Sequence, residues 1–169
     1  MQTTLAHLSN PANTAFPDID TGHLTDLQKK IVSLSKTQYA KKPVSYDSQV
    51  LTYTQGNKEA WCADYISWIY DKAGYLFKNP NSGSWRIPGV YTLQEYFQSI
   101  HHYQPVGKYQ PKTGDVAIYS HGQGHAAIVL RVDGQNITTI GGNESGRLRI
   151  DTRPQTGKDS YSLIGYGIL

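Results

Sequence analysis

The sequence predicts an α+β domain in which N-terminal helices pack on an antiparallel β-meander. Apolar residues recur at helical spacing between residues 24 and 100, and short apolar or alternating runs bounded by turn signals fill residues 114–169. Helices followed by strands, without alternation of the two, mark α+β segregation rather than a parallel sheet. The 13 tyrosines and 16 glycines also favour strands and turns over a helical bundle.

Residues 1–23 carry Asn-Pro, Phe-Pro and Thr-Gly breaks and read as an extended arm; a single domain is expected over 24–169. Leu27, Ile31, Leu34 and Gln38 then fall at helical spacing, with Thr25 or Asp26 as cap, so a helix is expected to about Tyr39. Pro43 blocks its continuation. Residues 44–58 read as an irregular approach. Trp61, Tyr65, Ile66, Ile69 and Ala73 mark one face of a second helix, and Gly74 is its expected stop. A loop with two prolines and two glycines covers residues 79–90. Thr92 and Glu95 have capping-box spacing and predict a helix opening there and running to about Ile100, with Tyr91 and Tyr96 as a staple. Strands are expected over 114–120, 125–132, 136–142, 146–152 and 162–169. Asp133-Gly134 and Glu144-Ser145-Gly146 supply hairpin turns.

Composition narrows the function. The net charge of +3, without a basic run, argues against a nucleic-acid partner. No apolar run approaches the roughly 20 residues of a membrane-spanning helix. The first twenty residues lack the basic and apolar regions of a secretory signal. One cysteine excludes an intramolecular disulfide.

That cysteine, Cys62, falls in the first turn of the second helix. Unpaired N–H groups and the positive end of the helix dipole favour a thiolate there, and the thiolate is the nucleophile. An imidazole would complete the activation. Of six histidines, His7 and His23 lie in the arm, and His101 and His102 end a helix. His121 and His125 bracket a glycine-rich turn, and only His125 opens a strongly apolar strand that would fix its ring. The spacing of His121 and His125 across Gly-Gln-Gly does not suit a metal pair, and no cofactor is expected. If the next hairpin has a three-residue loop, His125 stands opposite Asn143, whose amide could orient the ring. A two-residue loop would put Gly142 there instead. The sequence thus asks for the longer loop or for a bulge.

The runs "WCADYISWIYDKAG", "TGDVAIYS", "GHAAIVLRV" and "TIGGNESGRL", in this order over about residues 58–152, resemble the successive blocks of a CHAP domain. CHAP domains belong to the papain-like and NlpC-type cysteine peptidase superfamily. The resemblance implies a papain-like fold and hydrolysis of amide bonds, usually in bacterial peptidoglycan. It implies Cys62 as nucleophile, His125 as general base and Asn143 as orienting group. Many CHAP domains carry a glutamate two places before the asparagine, where this chain has Gly141. Some relatives bind calcium through acidic residues near the cysteine. Asp64 matches one such position, but Tyr53 and Gln55 stand at two others, so no calcium is expected.

On this reading Cys62 attacks an amide carbonyl and His125 protonates the leaving amine. The Cys62 N–H and a tyrosine hydroxyl, Tyr53 or in reserve Tyr46, would hold the oxyanion. Ser84, Trp85 and Tyr119 are candidates for substrate contact. The expected partners are peptidoglycan and, for a delivered effector, an immunity or delivery protein. The expected location is cytoplasmic synthesis followed by signal-independent release or delivery to the cell wall. Two rival readings are a cytoplasmic amidase of a small peptide and a catalytically silent fold that binds wall fragments.

Overall fold

The computed structural model describes residues 14–169, so the first thirteen residues of the expected arm lie outside the described residues. Thr25 caps helix α1 (Asp26–Ala40) through a reciprocal capping box with Gln28. Ile31, Val32, Ser35 and Gln38 form its buried face. The approach segment holds a short helix the spacing did not predict, α2 (Ser48–Tyr53), whose N-cap Asp47 accepts from the Val50 N–H. Helix α3 (Cys62–Ala73) starts and stops where the sequence placed it. Gly74 takes the left-handed cap conformation at φ 92°. Helix α4 (Val90–Ser99) begins two residues before Thr92, with Gly89 as N-cap and no side-chain cap bond. The Thr92–Glu95 capping box therefore does not form, because Thr92 already lies within the helix. Tyr91 is exposed rather than stapled to the buried Tyr96.

The strands are β1 (Tyr103–Pro105), β2 (Val116–Tyr119), β3 (His125–Asp133), β4 (Asn136–Glu144), β5 (Arg147–Pro154) and β6 (Leu163–Gly167), with a 3-10 turn at Lys158–Ser160. They form one antiparallel sheet in the order β1-β6-β2-β3-β4-β5. Strands β2 to β5 are the expected meander. The last strand leaves that pattern and returns to pair with β2, opposite the side taken by β3. The short β1 had no turn-bounded apolar run to announce it.

Helices α1, α3 and α4 cover one face of the sheet. Ile128, Ile140, Leu148 and Ile150 from the sheet meet Ile31, Tyr65, Ile66, Ile69 and Leu93 from the helices in one buried cluster. A smaller cluster on the other face joins Ala117, Tyr119, Ala127, Val129 and Ile137 to Tyr166, with Tyr161 packed against it. Strand alternation explains the division, since neighbouring residues of one strand point to opposite layers.

Two irregularities set the register near the ends of the central strands. Asp133 pairs with Asn136, so the β3–β4 loop is the two-residue Gly134-Gln135. A bulge at Leu130 then shifts the pairing by one, giving Val129 opposite Thr139 and Ile128 opposite Ile140. Continued as a regular ladder this frame would set His125 across from Asn143, the register for which the sequence asked a longer loop or a bulge, but the β3–β4 pairing ends at Ile128 and Ile140. A second bulge lies on β4. Gly141 pairs with Arg149 and Glu144 with Arg147, leaving one extra residue on β4 between them, and Asn143 takes φ 56°. The Ser145-Gly146 turn has both residues at positive φ, as a tight two-residue hairpin needs.

The adjacent glycines of β4 permit two close approaches. A Cβ on Gly142 would sit 2.6 and 2.7 Å from ring carbons of Trp61 and 3.2 Å from Tyr65 Cβ. Helix α3 therefore presses its first turn onto the sheet where no side chain intervenes. A Cβ on Gly141, on the opposite face, would meet Glu144 Oε1 and lie 2.9 Å from His125 Nε2. Gly142→Ala must displace the Trp61 ring and with it the helix tip. The expected cost is about 2 kcal/mol, by the general penalty for overpacking, read as a lowered urea midpoint with unchanged slope.

Candidate active site

Cys62 is the first residue of α3 and is 6% exposed. Trp61, its N-cap, contributes no side-chain cap, so the N–H groups of the first turn keep no intrahelical acceptor. The Trp61 ring is fixed by its indole N–H, which donates to Ser45 Oγ at 2.9 Å, and by packing against Tyr53. These contacts set the angle at which the cysteine enters the helix.

At the same end of the sheet lies a cleft of about 340 Å³. Cys62, His125, Asn143, Glu144, Arg149 and Arg153 are among its lining residues. The structure thus brings the three sequence-selected residues Cys62, His125 and Asn143 to one cavity. It gives the imidazole a different partner. His125 Nε2 lies 2.8 Å from Glu144 Oε1, whereas Asn143 Oδ1 accepts from Ser45 Oγ at 3.4 Å. The β4 bulge is the reason. It turns Asn143 off the regular alternation and swings Glu144 onto the face that Gly141 leaves bare. With Nε2 held by the carboxyl group, Nδ1 is the ring nitrogen left for the thiol.

The Glu144 carboxyl is itself hydrogen-bonded to Asp151, and Asp151 Oδ2 accepts from Arg153 at 3.2 Å. Strand alternation puts Arg149, Asp151 and Arg153 on one face of β5. The Arg153 guanidinium lies over the Tyr161 ring at 4.3 Å, and His121 stacks on the same ring at 3.9 Å. Tyr161 and Ser162 both hold positive φ, 59° and 57°, a conformation L-residues rarely adopt. This turn places the Tyr161 ring edge-on to His125. Sequence reading missed this wall. The i, i+2 spacing of Arg149, Asp151 and Arg153 was its available signal, and Glu144 was passed over as a turn residue.

Other sequence candidates sit elsewhere. Tyr53 is 0% exposed, and its hydroxyl donates to Gln38 Oε1 at 2.7 Å within the core. It is therefore turned away from the cleft and cannot serve an oxyanion. Tyr46, at φ 72°, is 60% exposed and does not line the cavity. Tyr119 is the cross-strand partner of His125 and packs behind its ring at 5.7 Å, supporting it rather than facing the cleft. Ser84 and Trp85 lie outside the cavity lining, and Ser84 Oγ accepts from the Arg86 N–H within their own loop.

That loop is tied to α3 by a charge cluster. Arg86 donates to Glu59 at 2.6 Å, to Asp64 at 2.7 Å and to Gln55 at 3.3 Å. Asp64, an acidic residue near the cysteine, therefore has a guanidinium as its cation. Asp64 is 0% exposed, and burial outweighs the Arg86 interaction, pushing its carboxyl up to about 7. Burial first, then the neighbouring Asp151, pushes Glu144 from its ordinary 4.5 up to about 10.

The α+β frame, the helix-tip thiol and the strand-borne imidazole define the class as papain-like. Comparison with protein families then places the chain: a CHAP domain model matches residues 53–143, more than half of the sequence, and the chain belongs to that family. No curated protein sequence matches it. Among solved structures it is similar to Ly7917 in complex with "the hydrolyzing product of MDP", at 14% identity and a TM-score of 0.42, covering 83% of this chain and 59% of that one. A second Ly7917 structure gives 12% identity, the same TM-score, and coverage of 83% and 58%. The chain thus spans less than two thirds of the length of Ly7917.

Two outcomes follow. A carboxyl whose pKa rises on folding stabilises the protein at low pH, and that contribution disappears as pH climbs through the folded value. Asp64 and Glu144 both behave so. The thermal midpoint should fall as pH is raised from about 4 through 7 and on towards 10, with Glu144→Gln removing the upper part of the decline. Arg86→Ala strands Asp64 in the interior and should cost about 3 kcal/mol of stability, while Asp64→Asn in the same background should recover part of it.

Proposed function

We propose that this protein is a cysteine amidase or endopeptidase that cuts an amide bond in the peptide stem of bacterial peptidoglycan. The observation that carries the reading is the shared cleft, in which a helix-tip thiol and an imidazole with one nitrogen already bound face the same space. Cys62 is the nucleophile and His125 the acid–base group. The thiol proton passes to His125 Nδ1 as Sγ adds to the amide carbonyl. The first-turn N–H of Cys62, with no intrahelical acceptor, donates to the oxyanion. Collapse breaks the C–N bond, and His125 returns the proton to the departing amine. Water then attacks the thioester with His125 as base, releasing the acid and the thiol.

The walls favour a substrate with anionic groups. Arg149 and Arg153 both line the cleft, and a peptide stem carries free carboxylates that guanidinium groups bind well. Peptidoglycan is therefore the proposed partner, met at the cell wall.

The test is mass spectrometry of isolated walls digested with wild-type and variant protein. Wild type should release fragments that define one cut amide bond. Cys62→Ala and His125→Ala should each lower the release rate by about 10³-fold or more while keeping the wild-type thermal midpoint. Release undiminished in Cys62→Ala would refute the reading.

A further inference from the structure

We infer that Glu144 positions His125 as a neutral carboxylic acid whose O–H donates a hydrogen bond to an ionised Asp151 that Arg153 holds in place. The inference deepens the hydrolase reading and takes its activity readouts from it. Three contacts place the groups in series. Arg153 Nη2 meets Asp151 Oδ2 at 3.2 Å, Asp151 bonds to Glu144, and Glu144 Oε1 meets His125 Nε2 at 2.8 Å. Two carboxyl groups can bond to one another only with a proton between them. Of the two, Asp151 has the direct guanidinium contact and is the one favoured as the anion.

The remaining neighbours agree. The groups facing Glu144 are His125 on β3, Asp151, Arg149 and Arg153 on β5, Tyr119 on β2, and Tyr161 in the turn before β6. Burial and the Asp151 charge hold the proton on Glu144, and they outweigh the opposing pull of the two arginines. A protonated Glu144 has one oxygen that donates and one that accepts. The donor meets Asp151, and the acceptor takes the Nε2–H of a neutral imidazole. This fixes the tautomer with the Nδ1 lone pair directed away from Glu144, ready to take the thiol proton. The acid thus orients the ring as a primary amide would, without a full negative charge against it. Glu144, Asp151 and Arg153 are positioning residues, and none is required to touch substrate.

The amide analogue distinguishes this from an ionised glutamate. Glutamine has the same shape as the neutral acid, with a donor for Asp151 and an acceptor for His125. Glu144→Gln should therefore recover at least about tenfold of the rate lost in Glu144→Ala, with the recovery in kcat rather than KM. Asp151→Asn removes the anion that keeps Glu144 protonated. Glu144 then ionises beside His125 and stabilises the imidazolium, which cannot take the thiol proton, so the acid limb of the pH–rate profile should move up by about one unit. Glu144→Gln, which cannot ionise, should show no such move when combined with Asp151→Asn. A direct readout needs no substrate. At about pH 8.5, above the range in which Asp64 titrates, the wild type should show the infrared carbonyl band of a protonated carboxyl, absent from Glu144→Gln. No such band in the wild type, or a folded Glu144→Gln as slow as Glu144→Ala, would overturn the inference. A wild type with the band but inert on every amide substrate would refute the hydrolase reading and support the proton assignment.

Discussion

The structure depends on the contact between the tip of α3 and Gly142 of β4. A cysteine at a helix terminus is only an exposed or buried thiol until something brings it to a base. Here the bare backbone of one glycine lets the Trp61 ring and the Tyr65 stem settle against the sheet. The Tyr53–Trp61–Tyr65–Trp68 aromatic group holds that seating from the helix side. The neighbouring glycine then clears the opposite face for His125 and Glu144. Two residues without side chains thus serve two layers of the molecule, one for packing and one for chemistry.

Most of the fold was legible in the sequence because its elements announce themselves locally. Helix α3 and its Gly74 stop, α1 with Thr25 as cap, and the four strands β2 to β5 follow from periodicity and turn residues. The exceptions have local causes as well. Helix α2 is too short to show a period, and only its Asp47 cap betrays it. Helix α4 starts at Val90 behind the Gly89 N-cap, so Thr92 falls inside it and the Thr92–Glu95 spacing goes unused. The pairing of β6 with β2 is a matter of topology, and no strand's own pattern encodes which neighbour it takes.

The site was legible to a different depth. Cys62 and His125 could be selected from residue type and position, and the register argument asked for a longer loop or a bulge, of which the structure has the bulge. What the sequence could not supply was a second bulge, at the far end of β4, where Asn143 adopts a left-handed conformation. One inserted residue reverses the order of faces, so Glu144 reaches the imidazole and Asn143 turns to Ser45. Tyr53 failed as an oxyanion donor for a similar reason: the unforeseen α2 turned its hydroxyl inward to Gln38. Chemistry-bearing residues in irregular backbone are the ones that pattern reading misplaces.

Strand β5 lies at the edge of the sheet, with Leu148 and Ile150 in the main core and Arg149, Asp151 and Arg153 on the opposite, cleft-facing side. Its two faces therefore answer to different demands. One row must remain hydrocarbon for the layers to stay together, while on the other Asp151 and Arg153 serve the imidazole through Glu144 and Arg149 lines the groove beside them. A protein built this way can change which molecules its groove accepts at the Arg149 position, leaving the thiol and its helix untouched.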